Sequence, residues 1–145
     1  MKIKELLNRN KVNFSCEIFP PKKDTDFSEV FDVVDRISEL GSDYISVTYG
    51  AGGSTSKKTV EVASYIQNQK QTTALAHLTC IDSTPEQIQA QLAELKTNGI
   101  ENIMALRGDK PKDFTGPYNY NYAIELIRDI HASGDFCVGA ACYPE

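Results

Sequence analysis

The sequence predicts an α/β protein of the (β/α)8 TIM-barrel class, of which this chain supplies about the first five strands. Apolar, β-prone runs start near residues 13, 43, 73, 101 and 136, roughly one per 30 residues, which is the length of a βαβ unit. Amphipathic helical patterns fill the intervals. Four successive runs also end in polar groups: Glu17 ahead of Pro20-Pro21, then Thr48-Tyr49-Gly50, His77-Leu78-Thr79 and Arg107-Gly108-Asp109. A closed ring of parallel strands points every strand end at one mouth, whereas an open doubly wound sheet gathers its site at a single switch point. A dinucleotide fold would also carry GxGxxG after its first strand; prolines stand there instead.

Residues 3–9 predict a short amphipathic helix with Ile3, Leu6 and Leu7 on one face. The first strand spans about 12–19 and stops at the two prolines, which cannot donate to a ladder. Phe27, Val30, Phe31, Val34, Ile37 and Leu40 recur at helical spacing, with Asp26 and Glu29 at the start and Gly41 after the end. That helix leaves Asp32, Asp35, Arg36 and Glu39 to water. A strand around Tyr44–Val47 leads through Gly50-Ala51-Gly52-Gly53-Ser54-Thr55 to a helix over about 56–69. Thr73 to Leu78 is the third strand. Thr84-Pro85-Glu86-Gln87 has the cap, proline and reciprocal glutamine of a strong helix start. Ile88, Leu92 and Leu95 line that helix and Gly99 ends it. Strand four is Asn102 to Leu106. A helix over about 120–132 follows, with Ala123, Ile124, Ile127 and Ile130 inward, and Phe136 to Ala141 is strand five.

The 145 residues allow one domain with a real core. A formal net charge of -5 argues against nucleic acid or an anionic membrane as the main partner. No apolar run reaches membrane-span length, and the N-terminus lacks a signal peptide's apolar core. Cys16, Cys80, Cys137 and Cys142 form no CxxC pair and read as buried free thiols in a reducing cytoplasm.

Several strand-end residues carry chemistry. Glu17 inside an apolar run is a general acid if desolvated, or a rim residue paired with Lys22 or Lys23. The glycine loop 50–55 offers backbone N–H groups to an anion, or is a tight turn. His77 has no ligand-type neighbour at metal spacing, which leaves a structural role or hydrogen bonding to a polar ring. Arg107 and Asp109 either pair with each other or serve an anionic group and a heterocycle N–H respectively. Tyr118, Tyr120 and Tyr122 cannot all share one helical face, so at least one is exposed or touches a ligand. With Tyr143 they suit a planar, polar, heteroaromatic ligand.

At these residues the chain resembles the catalytic domain of methylenetetrahydrofolate reductase, a flavoprotein built on a (β/α)8 barrel. The resemblance spans all 145 residues and rests on five stretches in order: Phe14–Pro21, Val47–Thr55, His77–Cys80, Ala105–Asp109 and Tyr143-Pro144-Glu145. It implies FAD, with NADH or NADPH as reductant and 5,10-methylenetetrahydrofolate as the acceptor of hydride from flavin N5, in a ping-pong order. The product is 5-methyltetrahydrofolate, the one-carbon unit of methionine biosynthesis. Glu17 matches the general acid that promotes protonation at N10 and ring opening. Asp109 matches the aspartate near the flavin pyrimidine edge. Thr48, His77, Arg107, Gly108, Asp109, Tyr122 and Tyr143 match FAD-contacting positions, with Tyr120 competing with Tyr122. The residue spacing offers no metal site, and the resemblance leaves room for a homo-oligomer. It also implies that residues 1–145 are the N-terminal part of one FAD-dependent barrel domain, whose remaining C-terminal part is a partner for substrate binding. On that expectation these residues alone have no reductase activity and little FAD affinity. Two alternatives stay open: another flavin- or folate-binding barrel enzyme, and a truncated barrel half with a structural or interaction role.

Overall fold

A computed structural model describes residues 1–7, 10–21, 27–49, 55–110 and 117–142. Its elements are α1 (Ile3–Leu7), β1 (Ser15–Ile18), α2 (Phe27–Glu39), β2 (Tyr44–Val47), α3 (Thr55–Ser64), β3 (Thr73–Thr79), α4 (Pro85–Thr97), β4 (Asn102–Leu106), α5 (Ala123–Ser133) and β5 (Cys137–Ala140). The five strands form one sheet in the order β1-β2-β3-β4-β5, and every neighbouring pair is parallel. A doubly wound sheet reverses strand order at its switch point; this one does not.

The packing makes the same distinction. Ile18, Ile45, Val47, Ala76, Leu78, Ile103 and Ala105 share a buried cluster with Val34 of α2, Val62 of α3, Leu92 of α4 and Leu126 of α5. Helices α2 to α5 therefore cover one face of the sheet, as the outer ring of a (β/α)8 barrel does. The opposite face carries alternate residues. Its register runs Glu17, Ser46, Leu75, Asn102, Cys137 across the sheet, one rung below His77, Met104 and Gly139.

Helix α1 packs on that second face, with Ile3 and Leu6 against Leu75. Asn102 pins it there. Fully buried, Asn102 accepts from the Ile3 N–H at 2.8 Å and donates to the Met1 and Ala74 carbonyls, both at 3.1 Å. The Met1 amino group reaches Glu101 at 2.8 Å, and Lys2 pairs with Asp135.

Several expected features change. Strand β1 is shorter than 12–19, and Val12 and Phe14 are exposed. Leu7 and Leu40 also face water, because α1 and α2 end at or just before them. In α5 Leu126 and Ile130 are buried and Ile127 packs against the core, as an i, i+3, i+4, i+7 stripe from Ala123 requires, while Ile124 is exposed. Asp35 is not left to water. Helix α3 runs on into a π turn over Tyr65–Gln69, in which the Lys70 N–H bonds the Tyr65 carbonyl. At about 100° per residue in an α-helix, Tyr65 and Lys70 would point apart; the wider turn brings both to Asp35, at 2.9 and 2.7 Å. Tyr65 also stacks on Phe31 with ring centroids 4.1 Å apart. The Thr84/Gln87 capping box and the positive φ of Gly41 (77°) and Gly99 (74°) are as the sequence predicts. The Asp26 cap lies outside the described residues.

Replacing Asn102 by Leu strands the Ile3 N–H and Ala74 carbonyl in a buried site. The expected cost is roughly 2–4 kcal/mol of unfolding free energy in urea, with loss of α1 protection from amide exchange. A change below about 0.5 kcal/mol would show that the amide does not hold α1 in place.

Candidate functional site

Parallel pairing in sequential order puts the C-terminal ends of all five strands on one edge of the sheet, and the chemistry-bearing residues follow from that. Glu17 stands one residue before the end of β1, on the face away from the helices. Pro20 and Pro21, both buried, end the ladder immediately above it. Its carboxylate Oε2 accepts from Ser46 Oγ at 3.2 Å and lies 3.5 Å from His77 Nε2. Ser46 sits opposite Glu17 in the β1–β2 register, and Glu17 reaches diagonally across it to β3. Oε1 has no hydrogen bond or ion pair among the described residues, and the side chain is about half exposed. Glu17 is thus a rim residue whose main partners are Ser46 and His77; Lys22 and Lys23 lie outside the described residues. Ser46 was not singled out from the sequence, since a serine in an apolar run carries no signal until the register is known.

His77 is mostly enclosed, its side chain 12% exposed. Burial lowers its proton affinity, and the Glu17 carboxylate pulls the other way but less strongly. Thr48 follows β2 directly. Its carbonyl accepts from Thr59 Oγ1 at 3.1 Å, while its own hydroxyl is buried without a hydrogen-bond partner. An orphaned buried hydroxyl at a strand end fits a ligand that supplies the missing partner.

After β4, Arg107 and Asp109 are both exposed and make no ion pair with each other. The Arg107 Nε donates instead to the Gly108 carbonyl at 3.1 Å. Gly108 has φ 84°, and a Cβ there would sit 3.1 Å from Thr79 Cβ and 3.2 Å from Ile81 Cγ2. Close seating lets the Arg107 carbonyl accept from the Cys80 and Ile81 N–H groups, which locks the β4 end to the β3 end. Cys80 is no nucleophile: burial pushes its thiol up to about 12. It is also the buried member of the four free thiols; Cys142 is exposed and Cys16 and Cys137 are half-buried.

The tyrosines divide as their spacing requires. Tyr120 is buried and donates its hydroxyl to Asp129. Tyr122 precedes α5 with an exposed ring, and Glu125 accepts from its backbone N–H at 3.0 Å. Tyr118 lies under Lys110. Tyr143 and the glycine loop 50–54 lie outside the described residues. A cavity of about 10 Å³ beside His77, lined by Tyr49, Thr59, Leu78 and Gln91, has room for about one water molecule and is far smaller than the roughly 300–1,000 Å³ of ordinary ligand sites. A large planar ligand would therefore lie across the strand ends rather than inside it. Among the described residues no group of three or more His, Cys, Asp or Glu can hold a metal, and no helix is long and apolar enough to cross a membrane.

Comparison with known proteins adds an independent line. The family model described as methylenetetrahydrofolate reductase matches residues 2–145. Methylenetetrahydrofolate reductase 1 of Schizosaccharomyces pombe is 38% identical over 143 residues, covering 94% of this chain and 24% of that protein. The 5,10-methylenetetrahydrofolate reductase of Escherichia coli K12 is 34% identical over 137 residues, covering 94% of this chain and 46% of that one. This chain thus spans about a quarter to a half of the length of these relatives. Among solved structures, the 4-hydroxy-tetrahydrodipicolinate synthase of Methylacidiphilum fumariolicum SolV superposes with a TM-score of 0.63 at 13% identity, over 92% of this chain and 45% of that one. At that identity the likeness is one of fold alone.

Two outcomes follow from this geometry. Gly108→Ala should lower stability by at least about 1 kcal/mol, from the left-handed backbone and the contact with Thr79; an unchanged urea midpoint would contradict the close seating. Because burial lowers the proton affinity of His77 from its ordinary 6.5, its contribution to stability is full above that value. It is lost as pH falls through the lower folded midpoint. His77→Gln should flatten the stability profile in that acid window, and an unaltered slope would contradict the assignment.

Proposed function

We propose, because the chain belongs to the methylenetetrahydrofolate reductase family, that it forms the N-terminal wall of a flavin- and folate-binding barrel mouth. The observation that carries this reading is the juxtaposition of Glu17, Ser46 and His77 on the face away from the helices, level with the orphaned Thr48 hydroxyl and the Arg107-Gly108-Asp109 turn. The reaction would be reduction of 5,10-methylenetetrahydrofolate to 5-methyltetrahydrofolate at the expense of NADH or NADPH. The chemistry that bound FAD supplies is two-electron hydride transfer between these reactants in a ping-pong order.

The chain's own residues would do the remaining work. Thr48, His77, Arg107, Gly108, Asp109, Tyr122 and Tyr143 would hold the cofactor. The fork of Arg107, which makes no ion pair among the described residues, serves an anionic group, and the Thr48 hydroxyl gains the partner it lacks. Asp109, exposed beside Gly108, accepts from a heterocycle N–H and places a negative charge at its edge. Glu17, with Oε1 open to the mouth, is the general acid: its O–H bond breaks as a proton passes to N10 of the folate, which opens the five-membered ring. The C-terminal part of the barrel would complete the mouth, so residues 1–145 alone should show no turnover and little FAD affinity.

A chimera tests the reading: these 145 residues replacing the matched N-terminal part of the Escherichia coli relative. It should purify yellow, be bleached by NADH and be reoxidised by methylenetetrahydrofolate. Glu17→Gln should slow the reoxidation by about 100-fold or more while leaving the NADH step near its original rate. A folded but colourless chimera, or full-rate reoxidation in the Glu17→Gln variant, would overturn the assignment.

A further inference from the structure

We infer that His77 is a positioning residue for Glu17, holding its carboxyl group over the mouth. The inference rests on the general-acid reading of Glu17 above and adds a second residue to it. Three geometric facts support it. His77 Nε2 and Ser46 Oγ converge on the same carboxylate oxygen, at 3.5 and 3.2 Å. The other oxygen, Oε1, has no hydrogen bond or ion pair among the described residues, so one edge of the carboxylate is fixed and the other faces out. His77 is enclosed where Glu17 is half exposed, 12% against 53% of the side chain, so solvent reaches the pair through Glu17.

The surroundings isolate the pair. The neighbours of His77 in the sheet are Met104 on β4 and, one rung lower, Ser46 on β2, neither of which titrates near neutrality. Arg107 and Asp109, beyond the end of β4, turn outward. Among the described residues Glu17 is the charge that acts on His77. Held at Oε2 by the Ser46 hydroxyl and the nearby imidazole, the Glu17 carboxyl keeps its other edge turned to the mouth. In the step proposed, the Glu17 O–H bond breaks as its proton passes to the substrate nitrogen. Water at the rim returns a proton to Glu17, so nothing beyond solvent is needed to close the cycle.

The test needs neither cofactor nor folate. The 145-residue chain, labelled with 13C at histidine and glutamate, is titrated by NMR and the His77 ring carbon is followed. Glu17→Gln should lower the His77 midpoint by about half a pH unit or more, as expected for loss of a unit charge a few ångströms away. Glu17→Asp should restore most of the difference. In the unaltered chain the Glu17 carboxyl carbon should show a second inflection at the His77 midpoint, which keeps the test valid if the Gln variant fails to fold. A His77 midpoint unmoved in a well-dispersed Glu17→Gln spectrum, or a Glu17 carboxyl with no inflection there, would overturn the inference. A coupled titration in a chain whose chimera never binds flavin would keep the pair and remove only the reductase reading.

Discussion

Parallel pairing in strict sequential order is the constraint from which the rest of this structure follows. With β1 to β5 stepping across the sheet in chain order, every crossover must pass over one face, and every strand must end on one edge. The first consequence puts α2 to α5 in a single layer and gives the apolar cluster its composition. The second brings residues far apart in sequence within reach of one another. Glu17 and His77 are 60 residues apart in the chain and 3.5 Å apart in space, because the register places Ser46 between them as a shared rung.

The two ends of the sheet are built from different physics. At the N-terminal end, buried Asn102 satisfies backbone groups from α1 and β3, and the terminal amine, Lys2, Glu101 and Asp135 pair around it. The polar groups gathered around Asn102 have partners, so that cluster contributes stability. At the C-terminal end polar atoms are left open among the described residues: the Thr48 hydroxyl is unpaired, one oxygen of Glu17 has no partner, and Arg107 and Asp109 do not neutralise each other. This is the division expected of barrel proteins, with stability below and chemistry above.

Much of this was legible in the residues. The capping box at Thr84, the glycines that end α2 and α4, and strand β4 all stand where local chemistry puts them, since turn and cap residues act through neighbours in sequence. Strand ends marked Glu17, Thr48, His77 and Arg107 for the same reason. Other features needed three dimensions. Ser46 acquires a role only through register. Asp35 looked solvated until the π turn swung Tyr65 and Lys70 onto it. The stripe on α5 was misread at Ile124 because Ala, Ile, Leu and Ile offer two overlapping helical periods, and packing against β4 and β5 chooses between them. Tyr120 and Tyr122 were equivalent by composition; burial against Asp129 separates them.

The claim at the centre of this account is that one rim of strand ends is the ligand-binding face. The measurement that tests it most directly is amide chemical-shift mapping of the 145-residue chain with FAD added at millimolar concentration, where weak binding is still visible. The account predicts shifts concentrated at Glu17–Phe19, Thr48-Tyr49, His77–Ile81, Arg107–Lys110 and Tyr122, with α1 and Asn102 unmoved. Shifts centred on α1, Asn102 and the N-terminal strand ends would contradict it.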